Sequence, residues 1–251
     1  MTGENGDWKL GGTQYPTLEL KGIAIGRNSD KVILEIPSLA IDRGERVALL
    51  GPSGCGKSTL LSTIGGLLKP ISGEIRIYGE IHDIQWLKEN TARSFQNFPV
   101  YPWLTVHEIL MLACKIKQLD YSLDEIFSHL KEFSAEHLLH RRTSELSGGE
   151  RCRVSIATAF FGNPVALFLD EPFTGLDTTT KESVSENIYI IAKNRNIPIL
   201  LVTHDINDAV SLSDRVIIFR NDCGTTRICC EIPTEDSRAL NKVKEQMKSV
   251  Q

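Results

Sequence analysis

Three groups of residues in this chain have types and spacings suited to phosphate chemistry. The first is GPSGCGKST at 51–59, which follows the branched apolar run RVALL and leads into the helical stretch TLLSTIGGLL. Strand, glycine loop and helix in that order form a phosphate-holding turn. Gly51, Gly54 and Gly56 let backbone N–H groups turn toward phosphate oxygens, and the helix behind adds its positive end. Lys57 would reach the β- and γ-phosphates, Ser58 would hold Mg²⁺, and Thr59 would support the loop. Pro52, Ser53 and Cys55 complete the set of candidate nucleotide contacts, with Cys55 at a free position rather than a catalytic one.

The second group ends the apolar run VALFLDEPF at 165–173. Asp170 is placed to hold Mg²⁺ through its water shell, and Glu171 to polarise the attacking water. Paired acids at a strand end are common on their own and gain meaning from the phosphate loop. A guanine-reading Asn-Lys-x-Asp is missing; the nearest string, NKVK at 241, has Lys244 where the acid belongs. ATP is the favoured nucleotide.

The third group is LSGGE at 146–150. Ser147 and Glu150 have capping-box spacing, and ERCRVSIATAFF continues as a helix through Val154, Ala157 and Phe161 to a stop at Gly162. A helix that begins Ser147-Gly148-Gly149 offers bare N–H groups, a hydroxyl and a positive dipole end. The phosphate loop already surrounds its own nucleotide. The second donor set must therefore face a phosphate supplied by another molecule, a role compatible with capping.

These groups need a scaffold. Branched apolar runs at KVILEI (31–36), RVALL (46–50), VALFL (165–169), PILLVT (198–203) and RVIIF (215–219) alternate with helix-period segments. That is the pattern of a largely parallel sheet with helical crossovers. Between about 97 and 146 the strands stop. LTVHEILMLACKI opens with the capping box Thr105/Glu108 and gathers Val106, Ile109, Leu110, Ala113 and Ile116 on one face. SLDEIFSHLKEF repeats the device with Ser122 and Glu125, then Leu123, Ile126, Phe127, Leu130 and Phe133. The segment is expected to be an inserted all-helical subdomain. Residues 1–17 are expected to be a flexible polar arm, 18–232 the ATPase domain, and 233–251 a polar tail.

Composition narrows the class. The chain has 251 residues, 41 % apolar, with a formal charge of −4, a balance unlike that of proteins that coat nucleic acid. No apolar run approaches the roughly eighteen residues of a membrane span, and the N-terminus lacks the pattern of a signal peptide. The six cysteines show neither zinc spacing nor a disulfide framework, which points to a reduced, cytoplasmic setting. His129, His137 and His140 could be read as a metal-binding insert, but without a fourth ligand a solvated surface is the better reading.

In this combination the sequence resembles the ATP-binding cassette (ABC) family, specifically the nucleotide-binding subunit of a transporter, from about residue 18 to 220. GPSGCGKST is similar to that family's Walker A loop, VALFLDEPF to its Walker B strand and LSGGE to its signature. The resemblance implies a P-loop NTPase core of class α/β: a mostly parallel sheet, an N-terminal antiparallel β part and the inserted helical subdomain. It places Gln96 of SFQNFP at the metal, the γ-phosphate and the attacking water, facing the membrane subunit. TGLD (174–177) resembles the D-loop, with Asp177 at the subunit contact, and LVTHD puts His204 in the switch position.

The resemblance further implies ATP hydrolysis with Mg²⁺ and a pair of cassettes, a homodimer, closing head to tail around two ATP molecules. It also implies a separate transmembrane permease, an extracytoplasmic solute-binding protein and a peripheral position on the cytoplasmic face of the membrane. NFPVYPWLTVHEIL and SDRVIIFRNDCGTTRICCEIP look most like importers of the nitrate, sulfonate and taurine kind. The alternative is an export or lipid-extraction system. A cassette acting on ribosomes or DNA would carry two cassettes or a long coiled coil, and this chain has neither.

Three positions depart from the family pattern. The adenine-stacking aromatic is replaced by IGRNSD, where Arg27 is either a guanidinium platform or part of a solvated turn with Asn28. Cys152 stands where Gln is usual and Phe160 where a basic residue is common; neither removes a phosphate ligand.

Overall fold

A computed structural model describes residues 15–26, 31–94, 101–117 and 119–250. In chain order the elements are β1 (Leu18–Gly26), β2 (Val32–Ile41), β3 (Arg46–Leu50), α1 (Lys57–Ile64), β4 (Ser72–Ile77), β5 (Glu80–Ile81), α2 (Ile84–Asn90) and β6 (Ala92–Ser94). They continue with α3 (Val106–Lys117), α4 (Leu123–Glu132), α5 (Gly148–Phe160), β7 (Leu167–Asp170), α6 (Thr178–Asn194), β8 (Ile199–Val202), α7 (Ile206–Leu212), β9 (Arg215–Asp222), β10 (Thr225–Pro233) and α8 (Ala239–Val250). All five apolar runs are strands.

The strands form one ten-stranded sheet in the order β5-β4-β1-β2-β10-β9-β3-β8-β7-β6. From β9 to β6 the neighbours are parallel, and every residue of β7 and β8 is buried, as sheet interiors covered on both faces require. β1, β2, β4 and β5 pair antiparallel. The two regions meet through β10, which runs antiparallel to β9 and parallel to β2.

Side-chain alternation divides the core. Leu167, Leu169 and Leu201 face α5 and the helical segment, while Phe168, Leu200 and Val202 face α1 and the antiparallel strands. Two residues beyond Phe168, Asp170 therefore emerges on the α1 side. A third cluster packs α7 and α8 over Ala48, Leu50, Val216 and Ile218. The stretch past residue 232, polar in composition, contains a helix that buries Ala239, Val243, Met247 and Val250 on one side.

Two helical faces differ from the sequence expectation. On α3 the buried stripe is Val106, Ile109, Leu110 and Cys114, and Ile116 is 72 % exposed. On α4 it is Ile126, His129 and Leu130, with Leu123 and Phe127 exposed. Periodicity identifies an apolar side, whereas the neighbouring helix decides which part of it is covered. His129 is thus a core residue rather than a solvated one. Its Nε2 lies 2.7 Å from the carbonyl oxygen of Ala157 on α5, and Phe133 and Phe161 pack on its ring. Among the described residues no group of three or more His, Cys, Asp or Glu could hold a metal.

Candidate functional site

The phosphate loop joins β3 to α1. Gly56 holds a left-handed conformation at φ 101° as the N-cap of α1, where a side chain would be strained. α1 has no side-chain cap and no acid in its first turn, so its positive end is left for a ligand. A cavity of about 320 Å³ opens there, lined by Lys31, Ile33, Gly54, Cys55, Gly56, Lys57, Ser58 and Thr59. Lys57 Nζ donates to the carbonyl oxygens of Gly51 at 2.7 Å and Pro52 at 3.0 Å, bent back over its own loop. Ser53 is exposed, and Cys55 is buried at 5 % exposure.

Strand register assembles the acids. β7 and β8 are parallel with Asp170 opposite Val202, so the residues just past both ends converge. Ser58 Oγ donates to Asp170 Oδ1 at 3.0 Å. His204 Nδ1 lies 2.8 Å from Glu171 Oε2 and 2.9 Å from Oε1. Glu171 adopts φ 51°, an uncommon conformation for a non-glycine residue, held by its N–H bond to Val202 O at 2.9 Å. Its carboxylate is largely buried, whereas the His204 side chain is 76 % exposed.

The donor set fits Mg²⁺. A hydroxyl and a carboxylate oxygen 3.0 Å apart are hard ligands, and this cation completes its shell with water and phosphate oxygens. Gln96, Arg27 and Asn28 lie outside the described residues.

The LSGGE stretch opens α5 with both halves of its capping box. Ser147 Oγ accepts from Glu150 N at 3.3 Å, and Glu150 Oε2 accepts from Ser147 N at 2.7 Å. That backbone bond, together with Arg141 2.9 Å from Glu150 Oε1, holds the Glu150 carboxyl below the usual range. Gly148 and Gly149 are the first residues of the helix, whose leading N–H groups lack intrahelical partners. Asp177 caps α6 by accepting from Thr180 N at 3.0 Å, and hydrogen bonds from Thr180 keep its carboxyl low. A Cβ on Gly149 would lie 2.4 Å from Thr180 Cγ2, and one on Gly148 3.4 Å from Leu176 Cδ2. The Ser147 turn and the 174–177 turn thus form one packed surface.

No residue of 147–150 lines the phosphate-loop cavity. The structure therefore gathers the sequence candidates into two sets: the loop with Asp170, Glu171 and His204, and the α5 end with Asp177. Lys31 and Ile33, which belong to the apolar run KVILEI, line the cavity, and Arg93 falls in none of the phosphate-chemistry motifs. Arg93 Nη2 donates to Asp170 Oδ2 at 2.6 Å. A basic residue inside the short run ARS, otherwise a buried strand, was the available signal.

With this geometry in view, comparison with known proteins is direct. A family model described as ABC transporter matches residues 34–174, more than half of the chain. The nitrate import ATP-binding protein NrtD of Synechococcus elongatus is 35 % identical over 219 residues, covering 85 % of this chain and 79 % of the relative. The spermidine/putrescine import ATP-binding protein PotA of Legionella pneumophila is 33 % identical over 225 residues, 87 % of this chain; the chain spans 62 % of that relative's length. Among solved structures, cbiO1 from Clostridium perfringens, part of the ABC transporter complex cbiONQ, superposes with a TM-score of 0.78 at 27 % identity, covering 94 % of this chain and 95 % of that one. A dimeric cassette in a post-hydrolysis state with ADP and Pi gives 0.73 at 28 % identity, covering 87 % and 99 %. The phosphate loop, the acid pair and the Ser147 helix sit on this shared frame, and the chain belongs to the ABC transporter family of ATP-binding cassettes.

Proposed function

We propose that the chain is the ATP-hydrolysing subunit of an ABC importer, working as a head-to-tail homodimer beneath a separate membrane permease. The observation that carries this reading is the separation of two phosphate-directed helix ends, with the Ser147 end absent from the walls of the phosphate-loop cavity. A second copy, reversed, would bring its own Ser147 turn over that cavity.

In this reading the loop amides and Lys57 bind the β- and γ-phosphates, and Lys57 exchanges its bonds to Gly51 and Pro52 for phosphate oxygens. Ser58 and Asp170 would hold Mg²⁺, which neutralises charge on the phosphates. Glu171 accepts a proton from the attacking water, oriented by His204 Nδ1 against its carboxylate. Ser147, Gly148, Gly149 and Glu150 of the partner copy close the site, with Asp177 at the contact. Gln96 would link the γ-phosphate to the permease. Tyr101 and Trp103, exposed at 44 % and 66 % and packed edge to face at 5.8 Å, support a partner-facing surface just beyond it. No helix among the described residues is long and apolar enough to cross a membrane; in this reading the subunit is held at the cytoplasmic face through the permease.

For cargo we propose a small anion of the nitrate, sulfonate or taurine kind, received from a solute-binding protein outside the membrane. The nitrate name of one relative and the bicarbonate name of another, 35 % identical over 219 residues, support it; the polyamine name of PotA is the contrary case. Uptake of nitrate but not spermidine by vesicles holding the permease would favour the anion assignment, and the reverse would reject it.

The shared site has its own test. Lys57→Ala and Ser147→Arg should each inactivate the homodimer. Random mixing should restore about one quarter of the ATPase, because half the dimers are mixed and each holds one intact site. No recovery in confirmed mixed dimers would reject reciprocal sharing.

A further inference from the structure

Arg93 sits where sequence motifs direct no attention, yet it touches the same carboxylate as Ser58. Strand β6 pairs with β7 so that Arg93 stands beside Phe168, on the face that carries α1. From there Nη2 donates to Asp170 Oδ2 at 2.6 Å, Nη1 donates to Ser62 Oγ, and Nη2 lies 3.4 Å from the Ser58 carbonyl oxygen. One guanidinium thus ties the Asp170 carboxylate to two successive turns of α1. The side chains of Arg93 and Asp170 are only 10 % and 12 % exposed.

A carboxylate so enclosed is costly to keep charged without a counter-ion, and a guanidinium cannot give up its proton to escape. Arg93 supplies that counter-ion from within the chain. Arg93 takes Oδ2, the Ser58 hydroxyl takes Oδ1, and the carboxylate plane is fixed.

We propose that Arg93 is a positioning residue that acts as a resident counter-ion of Asp170. It holds the carboxylate in place before the metal arrives and cancels a negative charge that would otherwise repel the nucleotide's phosphates. Binding of nucleotide without Mg²⁺ then depends on Arg93, whereas binding with Mg²⁺ depends on it much less. The proposal rests on reading Ser58 and Asp170 as the metal-holding pair.

The experiment uses the full chain, as wild type, Arg93→Met and Arg93→Lys. ATP and ADP dissociation constants are measured in EDTA and in Mg²⁺, and melting temperatures with and without Mg²⁺ in the absence of nucleotide. For Arg93→Met, the ratio of the dissociation constant in EDTA to that in Mg²⁺ should rise about tenfold or more over wild type, because the buried pair is broken only where no metal replaces the lost cation. Mg²⁺ alone should raise the melting temperature of Arg93→Met and leave wild type almost unmoved. Arg93→Lys, which keeps a charge but loses the fork, should fall between them.

An unchanged ratio, or an equal loss of affinity in both buffers, would overturn the proposal, the latter by assigning Arg93 to structure alone. If Arg93→Met does not fold, Arg93→Lys carries the same test, and a wild-type ratio there would overturn it. No nucleotide binding by wild type in either buffer would instead reject the reading of the cavity, and the proposal with it.

Discussion

The imidazole of His204 meets the carboxylate of Glu171 almost symmetrically, with Nδ1 2.8 and 2.9 Å from its two oxygens. A ring in that position aligns the carboxylate without burying itself. Glu171→Gln keeps the shape and removes the basic oxygen. Turnover should fall by about 10²- to 10⁴-fold while ATP still binds and accumulates a closed dimer. Steady-state phosphate release and sizing in ATP check both halves, and normal turnover would remove Glu171 from the chemistry.

Gly149 predicts a packing effect that can be repaired. Its missing Cβ would lie 2.4 Å from Thr180 Cγ2, so Gly149→Ala should destabilise the fold by about 1–3 kcal/mol. Thr180→Ser removes that methyl and keeps the N–H bonded to Asp177, and the double variant should recover most of the loss. Urea unfolding of the four proteins measures it. Additive losses would place the glycine's role elsewhere.

His129 gives the molecule an acid limb. Burial is the main cause holding its pKa below 6.5, and the nearby Arg195 acts in the same direction. The Ala157 carbonyl and Glu132 act in the opposite one. The unfolded chain therefore binds the proton more readily. Stability contributed by the neutral ring is present above the unfolded value and is lost as pH falls through 6.5 toward the folded one. His129→Leu should flatten the pH dependence of unfolding between pH 7 and 5, with some stability lost at pH 7 because the bond to Ala157 goes. An unchanged slope would exclude this histidine as its source.

The cysteines should differ sharply. Burial pushes the Cys152 thiol up to about 12, and Cys55 is enclosed by its loop, whereas Cys223 is exposed. Alkylation at pH 8 followed by peptide mass spectrometry should mark Cys223 first and spare Cys55 and Cys152 until unfolding. Early labelling of Cys152 would contradict its placement against the Pro172 carbonyl.

Local chemistry was the legible part of this sequence. The three capping boxes at Thr105, Ser122 and Ser147 are spelled within four residues each, and all three are formed. Properties set by distant partners were not legible. The burial of His129 depends on a carbonyl of α5, and that of Cys114 in place of Ile116 on how α3 lies against the core. Average polarity hid the period of Ala239, Val243, Met247 and Val250 in α8. Arg93 gains meaning only when β6 and β7 align, 77 residues from its partner Asp170.

The placement of β10 bears on how the protein comes off the ribosome. Its register sets Thr226 against Leu34 and Arg227 against Glu35, and the Arg227–Glu35 pair closes at 2.9 Å. Until those late residues emerge, the early hairpin has no edge through which to join the parallel strands. The sheet can become continuous only once β10 has been made, leaving β2 until then with an open flank that nascent-chain chaperones would be well placed to shield.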